Sequence, residues 1–145
     1  MDKIDRKIIE LLQTNARYSL KYLAEQVYLS TPAVSARIEK LEESGIIKGY
    51  SVVVDKFKLG FNITAFVSVE VISKDKEEFY SYVNSCPNII ECSCITGKYS
   101  ILLKVVYHTT MELDAFIDEL QKFGNTETQI VFSSSIENRC ITPSV

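Results

Sequence analysis

The chain has 145 residues, enough for one ordinary domain or two small ones, and 46% of them are hydrophobic, which argues against disorder. No apolar run reaches the roughly 18 residues of a membrane span, and no charged-then-apolar leader opens the chain. A soluble cytoplasmic protein with no membrane partner is therefore expected. The net charge of −3 divides unevenly: residues 1–60 carry ten Lys/Arg against eight Asp/Glu, and residues 61–145 carry six against eleven. A weakly basic part is joined to an acidic one, which suits a nucleic-acid reading head linked to a domain with another task.

Ile4, Ile8, Leu11 and Leu12 recur at helical spacing and predict a first helix over about 3–15, with Asp2 and Asp5 near its positive end. Leu20, Leu23, Ala24 and Val27 define the apolar face of a second, shorter helix, and small Ala24 lets another helix cross closely. Tyr28, Leu29 and Ser30 then break the period. Ser30 sits where an N-cap belongs, and Pro32 follows in the first turn, where its missing N–H costs nothing. Val34, Ile38 and Leu41 face inward along this third helix, Thr31, Ser35, Arg37 and Lys40 face out, and Gly45 closes it as a C′ residue. Hydroxyls and cations on the outer face suit major-groove edges and phosphates, with Thr31 and Ser35, one turn apart, as candidate groove contacts. Arg37 has two readings: a DNA contact, or an ion pair with Glu42 or another acid. Ser30 reads first as a cap, and Arg17 and Lys21 as surface cations near the second helix.

After Gly45 the period changes, and IIKGYSVVVD predicts one or two short strands with Gly49 at a bend. Three helices and a β element make a winged helix-turn-helix over residues 1–54, with Lys48 near the wing. Polar residues 55–62, containing Gly60, form a linker. Residues 63–145 read as β-α-β-β-α-β: a strand at 63–72, a helix at 74–86, strands at 89–96 and 100–107 joined through Gly97-Lys98-Tyr99, a helix at 110–123 and a last strand at 127–136. That order is the ferredoxin-like arrangement, so the whole chain is α+β. One sheet face would carry Thr64, Phe66, Ser68, Glu70, Glu91, Ser93, Lys104, Gln129, Val131 and Ser133; apolar residues among the polar ones favour a subunit interface over a solvated face. Cys92 and Cys94, two apart in a strand, face the same way, but with Cys86, Cys140 and the lone His108 they make no zinc set, and no metal is expected. Serine–histidine–acid and phosphate-loop constellations are absent, so no catalysis and no cofactor are expected.

The residues match a family pattern. Asp5-Arg6-Lys7-Ile8-Ile9, Leu12-Gln13, Asn15-Ala16-Arg17, Leu23-Ala24, Leu29-Ser30, Val34, Arg37-Ile38, Leu41-Glu42, Gly45-Ile46-Ile47, Gly49-Tyr50, Asp55 and Leu59-Gly60 carry the N-terminal part. Thr96-Gly97-Lys98-Tyr99 followed by Leu102-Leu103-Lys104-Val105 carries the second half. Over its whole length the chain resembles the Lrp/AsnC, or feast/famine, transcriptional regulators. The resemblance implies a winged helix-turn-helix that binds double-stranded DNA and a ferredoxin-like domain that senses a small effector, commonly an amino acid. It also implies a dimer through the second domain, with further assembly into tetramers or octamers. By position it places Ser30, Thr31, Pro32, Ala33, Ser35, Arg37 and Lys40 against DNA, and Gly97, Lys98, Tyr99, Ser100, Thr126 and Thr128 in the effector cleft.

This chain departs from the family pattern twice. Tyr28 stands where glycine is usual in the helix-turn-helix turn; if that position has φ > 0, the tyrosine is strained by about 1 kcal/mol. Ser100 stands where aspartate is usual in the effector turn, which removes the natural partner of an amino acid's ammonium group. Two alternatives to a metabolite-tuned regulator are an enzyme like the sirohaem decarboxylases, for which His108 and Arg139 offer little, and an architectural DNA binder of low sequence preference.

Overall fold

Two acids start the chain's first helix. In the computed structural model, which describes residues 1–141 and Pro143, the Asp2 side chain accepts the Asp5 N–H at 2.9 Å while the Asp5 carboxylate accepts the Asp2 N–H at 2.9 Å. This reciprocal capping box satisfies two otherwise orphaned donors of α1 (Lys3–Thr14). Ser19 caps α2 (Leu20–Val27), and Ser30 caps α3 (Thr31–Glu43), whose first turn contains Pro32. Ile8, Leu23, Ala24, Val27, Val34 and Leu41 form one core, with Ile38 and Leu29 packed against it. Fully burying aliphatic side chains of this kind stabilises by about 1.5–3 kcal/mol each.

The chain divides into two compact units, Met1–Val53 with Ile136–Val145, and Val54–Ser135. In the second, β1 (Ile63–Val69) pairs antiparallel with both β3 (Ile101–Tyr107) and β4 (Thr126–Ile130), and β3 pairs antiparallel with β2 (Ile89–Cys94). The order β2-β3-β1-β4 places each helical crossover, α4 (Lys76–Ser85) and α5 (Thr110–Leu120), between strands that are not neighbours, which is the ferredoxin-like topology. Ala65, Val67, Val69, Leu103 and Val105 are fully buried with Phe79 of α4 and Leu120 of α5. The alternation of these strand positions with half-exposed ones is what put the helices on one face.

Several expected boundaries move. The run IIKGYSVVVD forms no strand: Val52 is 85% and Val53 74% exposed. β-branched residues favour extended backbone, but a strand exists only against a partner, and the head supplies none. The last strand ends at Ile130, beyond which Phe132 is 98% exposed. The helix expected from residue 74 begins as a 3-10 turn (Ser73–Asp75) before α4, and α5 ends at Leu120. Residues 136–141, read from the sequence with the second domain, cluster with the first unit instead. There the Gln13 side-chain amide donates to Ile141 O at 2.8 Å and accepts the Ile141 N–H at 2.8 Å.

Candidate nucleic-acid interface and effector turn

The α2–α3 turn is built by backbone geometry. Tyr28 ends α2 with φ 55° and ψ 44°, the left-handed region, and its N–H bonds back to Ala24 O, as does that of Leu29 at 3.1 Å. Leu29 drops toward the core, and Ser30 Oγ accepts the Ala33 N–H at 3.4 Å. The N-terminal end of α3 is thus open: Ser30, Thr31 and Pro32 are exposed, Ala33 and Ser35 half-buried, and Lys40 exposed one turn further on. Such an end, with its unsatisfied N–H groups, attracts phosphate oxygens and presents short polar side chains to a groove.

Besides the Ser30 cap, two more of the seven sequence-predicted DNA-facing side chains have polar partners inside the head. Ser35 Oγ donates to Glu39 Oε1 at 3.1 Å. Arg37 Nη1 lies 2.7 Å from Asp2 Oδ2 and 2.6 Å from Asp5 Oδ1, with the Asp5 side chain only 16% exposed. The acids that cap α1 therefore also clasp α3. The Asp5 N–H and then Arg37 hold the Asp2 carboxyl below its ordinary range, and Asp5 first and Asp2 second hold the guanidinium charged. Of the two sequence readings of Arg37, the ion pair is the arrangement observed, but its acids are Asp2 and Asp5; Glu42 instead accepts the Tyr50 hydroxyl at 2.7 Å. Partial burial of the Tyr50 ring and then this bond raise its phenol to about 12. Met1, Asp2, Asp5, Ala36, Arg37 and Lys40 line a groove beside α3.

The second candidate site lies at one end of the sheet. Gly97 (φ 113°) turns β2 into β3, and Lys98 Nζ stands 5.1 Å above the Tyr99 ring centre, a cation–π contact. Ser100 is half-buried and bonded to the end of the neighbouring strand. Its N–H donates to Val69 O at 3.1 Å, and its Oγ accepts the Val71 N–H at 3.3 Å. Thr126 pairs with Val69 and Thr128 with Val67, so Ser100 and Thr126 flank the same residue of β1 from opposite sides. Thr128 lies two residues further along, and Lys98 and Tyr99 occupy the tip. Sequence reasoning missed Glu70 here. Its N–H donates to Asn125 O at 2.9 Å, and its carboxylate accepts Asn125 Nδ2 at 3.0 Å, bringing an acid to this end of the sheet. Gly124 (φ 151°) makes the approach possible, since a Cβ there would be driven into Glu70 O. On the open face Lys104 pairs with Glu91 at 3.0 Å, with its ammonium 5.8 Å from the Phe66 ring centre.

Among the described residues no group of three or more His, Cys, Asp and Glu could hold a metal, and no helix is long and apolar enough to cross a membrane. Cys92 and Cys94 pair with buried Leu103 and Ile101 but are themselves exposed on the edge strand.

Known proteins resemble both units. A family model described as winged helix-turn-helix DNA-binding matches residues 1–48, and one described as Lrp/AsnC ligand binding domain matches residues 64–141. The transcriptional regulator LrpC of Bacillus subtilis is 36% identical over 133 residues, 92% of each chain, and its solved structure superposes with a TM-score of 0.90 over 96% of this chain and 99% of that one. The regulatory protein AsnC of Haemophilus influenzae is 35% identical over 144 residues, 94% of each chain. A transcriptional regulator of Neisseria meningitidis, solved in complex with L-methionine, is 25% identical with a TM-score of 0.89, over 94% of this chain and 93% of that one.

Proposed function

This chain belongs to the Lrp/AsnC family of transcriptional regulators, and from that premise we propose that it reads DNA through α3 and tunes the reading through assembly of its sheet domain. The observation that carries the reading is the exposed, serine-capped N-terminal end of α3, held on a closed hydrophobic core. Thr31 and Ser35 meet base edges; Ser30, Pro32 and Ala33 bring the helix end against the backbone; Lys40 takes a phosphate. Arg37 serves first as the positioning residue that holds α3 on α1, and offers a phosphate contact at the rim of the same helix.

A single head contacts little DNA, and the second unit supports linking several. Its open face alternates Phe66 and Leu102 with polar residues. A second copy covering this face makes a dimer with two linked heads, which raises affinity without new contacts; tetramers or octamers extend the same logic. The effector is a small metabolite, an amino acid being the class supported by the L-methionine complex of the Neisseria regulator. Gly97, Lys98, Tyr99, Ser100, Thr126 and Thr128 form its site, with Glu70 supplying the carboxylate that Ser100 lacks. A ligand that prefers one assembly shifts how many heads engage at once.

The catalytic alternative would need His108, and His108 Nδ1 is 2.8 Å from Gly60 O while its ring stacks on Phe61 at 4.4 Å. Selection from a random duplex pool tests the reading and separates it from architectural binding. Enrichment of paired half-sites spaced by about 10–10.5 base pairs, or a multiple, is expected; recovery of DNA with no recurring sequence would overturn sequence-specific reading.

A further inference from the structure

We propose that Tyr28 is itself a DNA contact, its phenol meeting the phosphate backbone at the edge of the groove that α3 enters. The inference rests on the DNA-binding reading above, but its observations are separate. Among the described residues, positive φ outside glycine occurs at Tyr28 (55°) and at Asn138 (50°). Asparagine tolerates the left-handed region because its short amide can bond the local backbone; a tyrosine has no such compensation. The turn needs the backbone conformation, since the Tyr28 N–H closes α2 on Ala24 O, but it does not need the ring. Tyr28 is 93% exposed, and the packing on either side is done by Val27, 8% exposed, and Leu29. The fold therefore keeps a strained residue whose large side chain contributes nothing to the core, and backbone strain of this kind gathers at ligand-contacting positions.

Position says what the ring is used for. Tyr28 precedes by two residues the Ser30 cap of α3, and Thr31 and Pro32 beside it are exposed. The N-terminal end of a recognition helix is the end that approaches the duplex. A phenol there has the reach and the donor to bond a phosphate oxygen, as tyrosine hydroxyls do in such interfaces. A phosphate contact fixes orientation and adds affinity to every sequence alike, so Tyr28 adds grip and leaves base choice to Thr31 and Ser35. Being uncharged, it releases no counterions.

Anisotropy titrations of the full chain onto a selected duplex and a random duplex, with thermal melting alongside, test this on Tyr28→Gly and Tyr28→Phe. Tyr28→Gly is expected to melt about 2–4 °C higher as the strain is relieved, yet to bind both duplexes about five- to tenfold more weakly. The salt dependence of binding should stay as steep as in the wild type, and Tyr28→Phe should fall between the two. Unchanged or tighter binding by Tyr28→Gly overturns the inference, including the case in which only the protein's mass changes, which would make the ring a protein contact. Loss of stability in Tyr28→Gly overturns it too, because the ring would then be holding the fold. If the wild-type chain binds neither duplex, the DNA-binding reading fails first and takes the inference with it.

Discussion

The helical head and the sheet domain finish their polar chemistry to different degrees. In the head, every element that presents α3 is tied within one chain: Ser19 and Ser30 cap, Asp2 and Asp5 cap α1 and clasp Arg37, and Gln13 holds Ile141. In the sheet domain the core is equally apolar, but the functional end is held by a few bonds, Ser100 N–H to Val69 O, Val71 N–H to Ser100 Oγ and Asn125 to Glu70, and one face is uncovered. A reading device has to be preorganised before DNA arrives, whereas a sensing device gains from remaining incomplete until a second copy or a ligand supplies the missing contacts. Five variants break or sharpen that contrast.

The largest effect is expected at Gly124. A Cβ there collides with the backbone oxygen of Glu70 at a φ that side chains rarely adopt, so Gly124→Ala should lower stability by about 3 kcal/mol in denaturant titration. An unchanged midpoint would mean that the effector end of the sheet yields more easily than its core. Next comes Arg37→Ala, which opens the clasp. Half-buried and still screened by solvent, the clasp contributes roughly 1 kcal/mol, and with α3 less firmly seated both specific and random DNA should bind more weakly. Loss of stability with full DNA affinity would confine Arg37 to the fold. Ser100→Asp restores the acid usual at the effector turn, and mass measurement with amino acids at about millimolar concentration should show a new or stronger ligand-dependent shift. No shift would favour Glu70 as the carboxylate in use, which Glu70→Gln then tests. The smallest effect concerns Asp2. Its folded carboxyl sits below its ordinary value of 3.8, so its contribution is full above that value and is lost as pH falls through the depressed one. The melting difference between wild type and Asp2→Asn should accordingly be constant from pH 7 to about 5 and vanish at the acid end. A difference that vanished near neutrality would point to another group.

Periodicity made most of this fold legible. The stripe Leu23, Ala24, Val27 and the Ser30-Thr31-Pro32 start carry their own geometry, and the alternation Ala65, Val67, Val69 names a sheet face without knowledge of its neighbours. What escaped depends on partners distant in sequence. The clasp joins Arg37 to an acid 35 residues away, and no local spacing announces it; the hint was that Asp2 and Asp5 already stood at a helix start. Val52 and Val53 read as a strand because β-branched runs do, yet a strand is a relation between two segments. The candidate effector residues were legible through family resemblance, but which way Ser100 Oγ turns, and that Glu70 arrives beside Asn125, follow from the sheet register. Tyr28 was visible as an odd residue in a glycine's place, and its φ of 55° shows that the turn keeps its left-handed geometry regardless.

The most direct test of the account is an anisotropy titration of the purified full chain onto the DNA upstream of its own gene, against random duplex of equal length, at two salt concentrations. The account predicts tighter binding to the upstream DNA, with affinity for both falling as salt rises. Equal affinity for the two duplexes, or none for either, would contradict it.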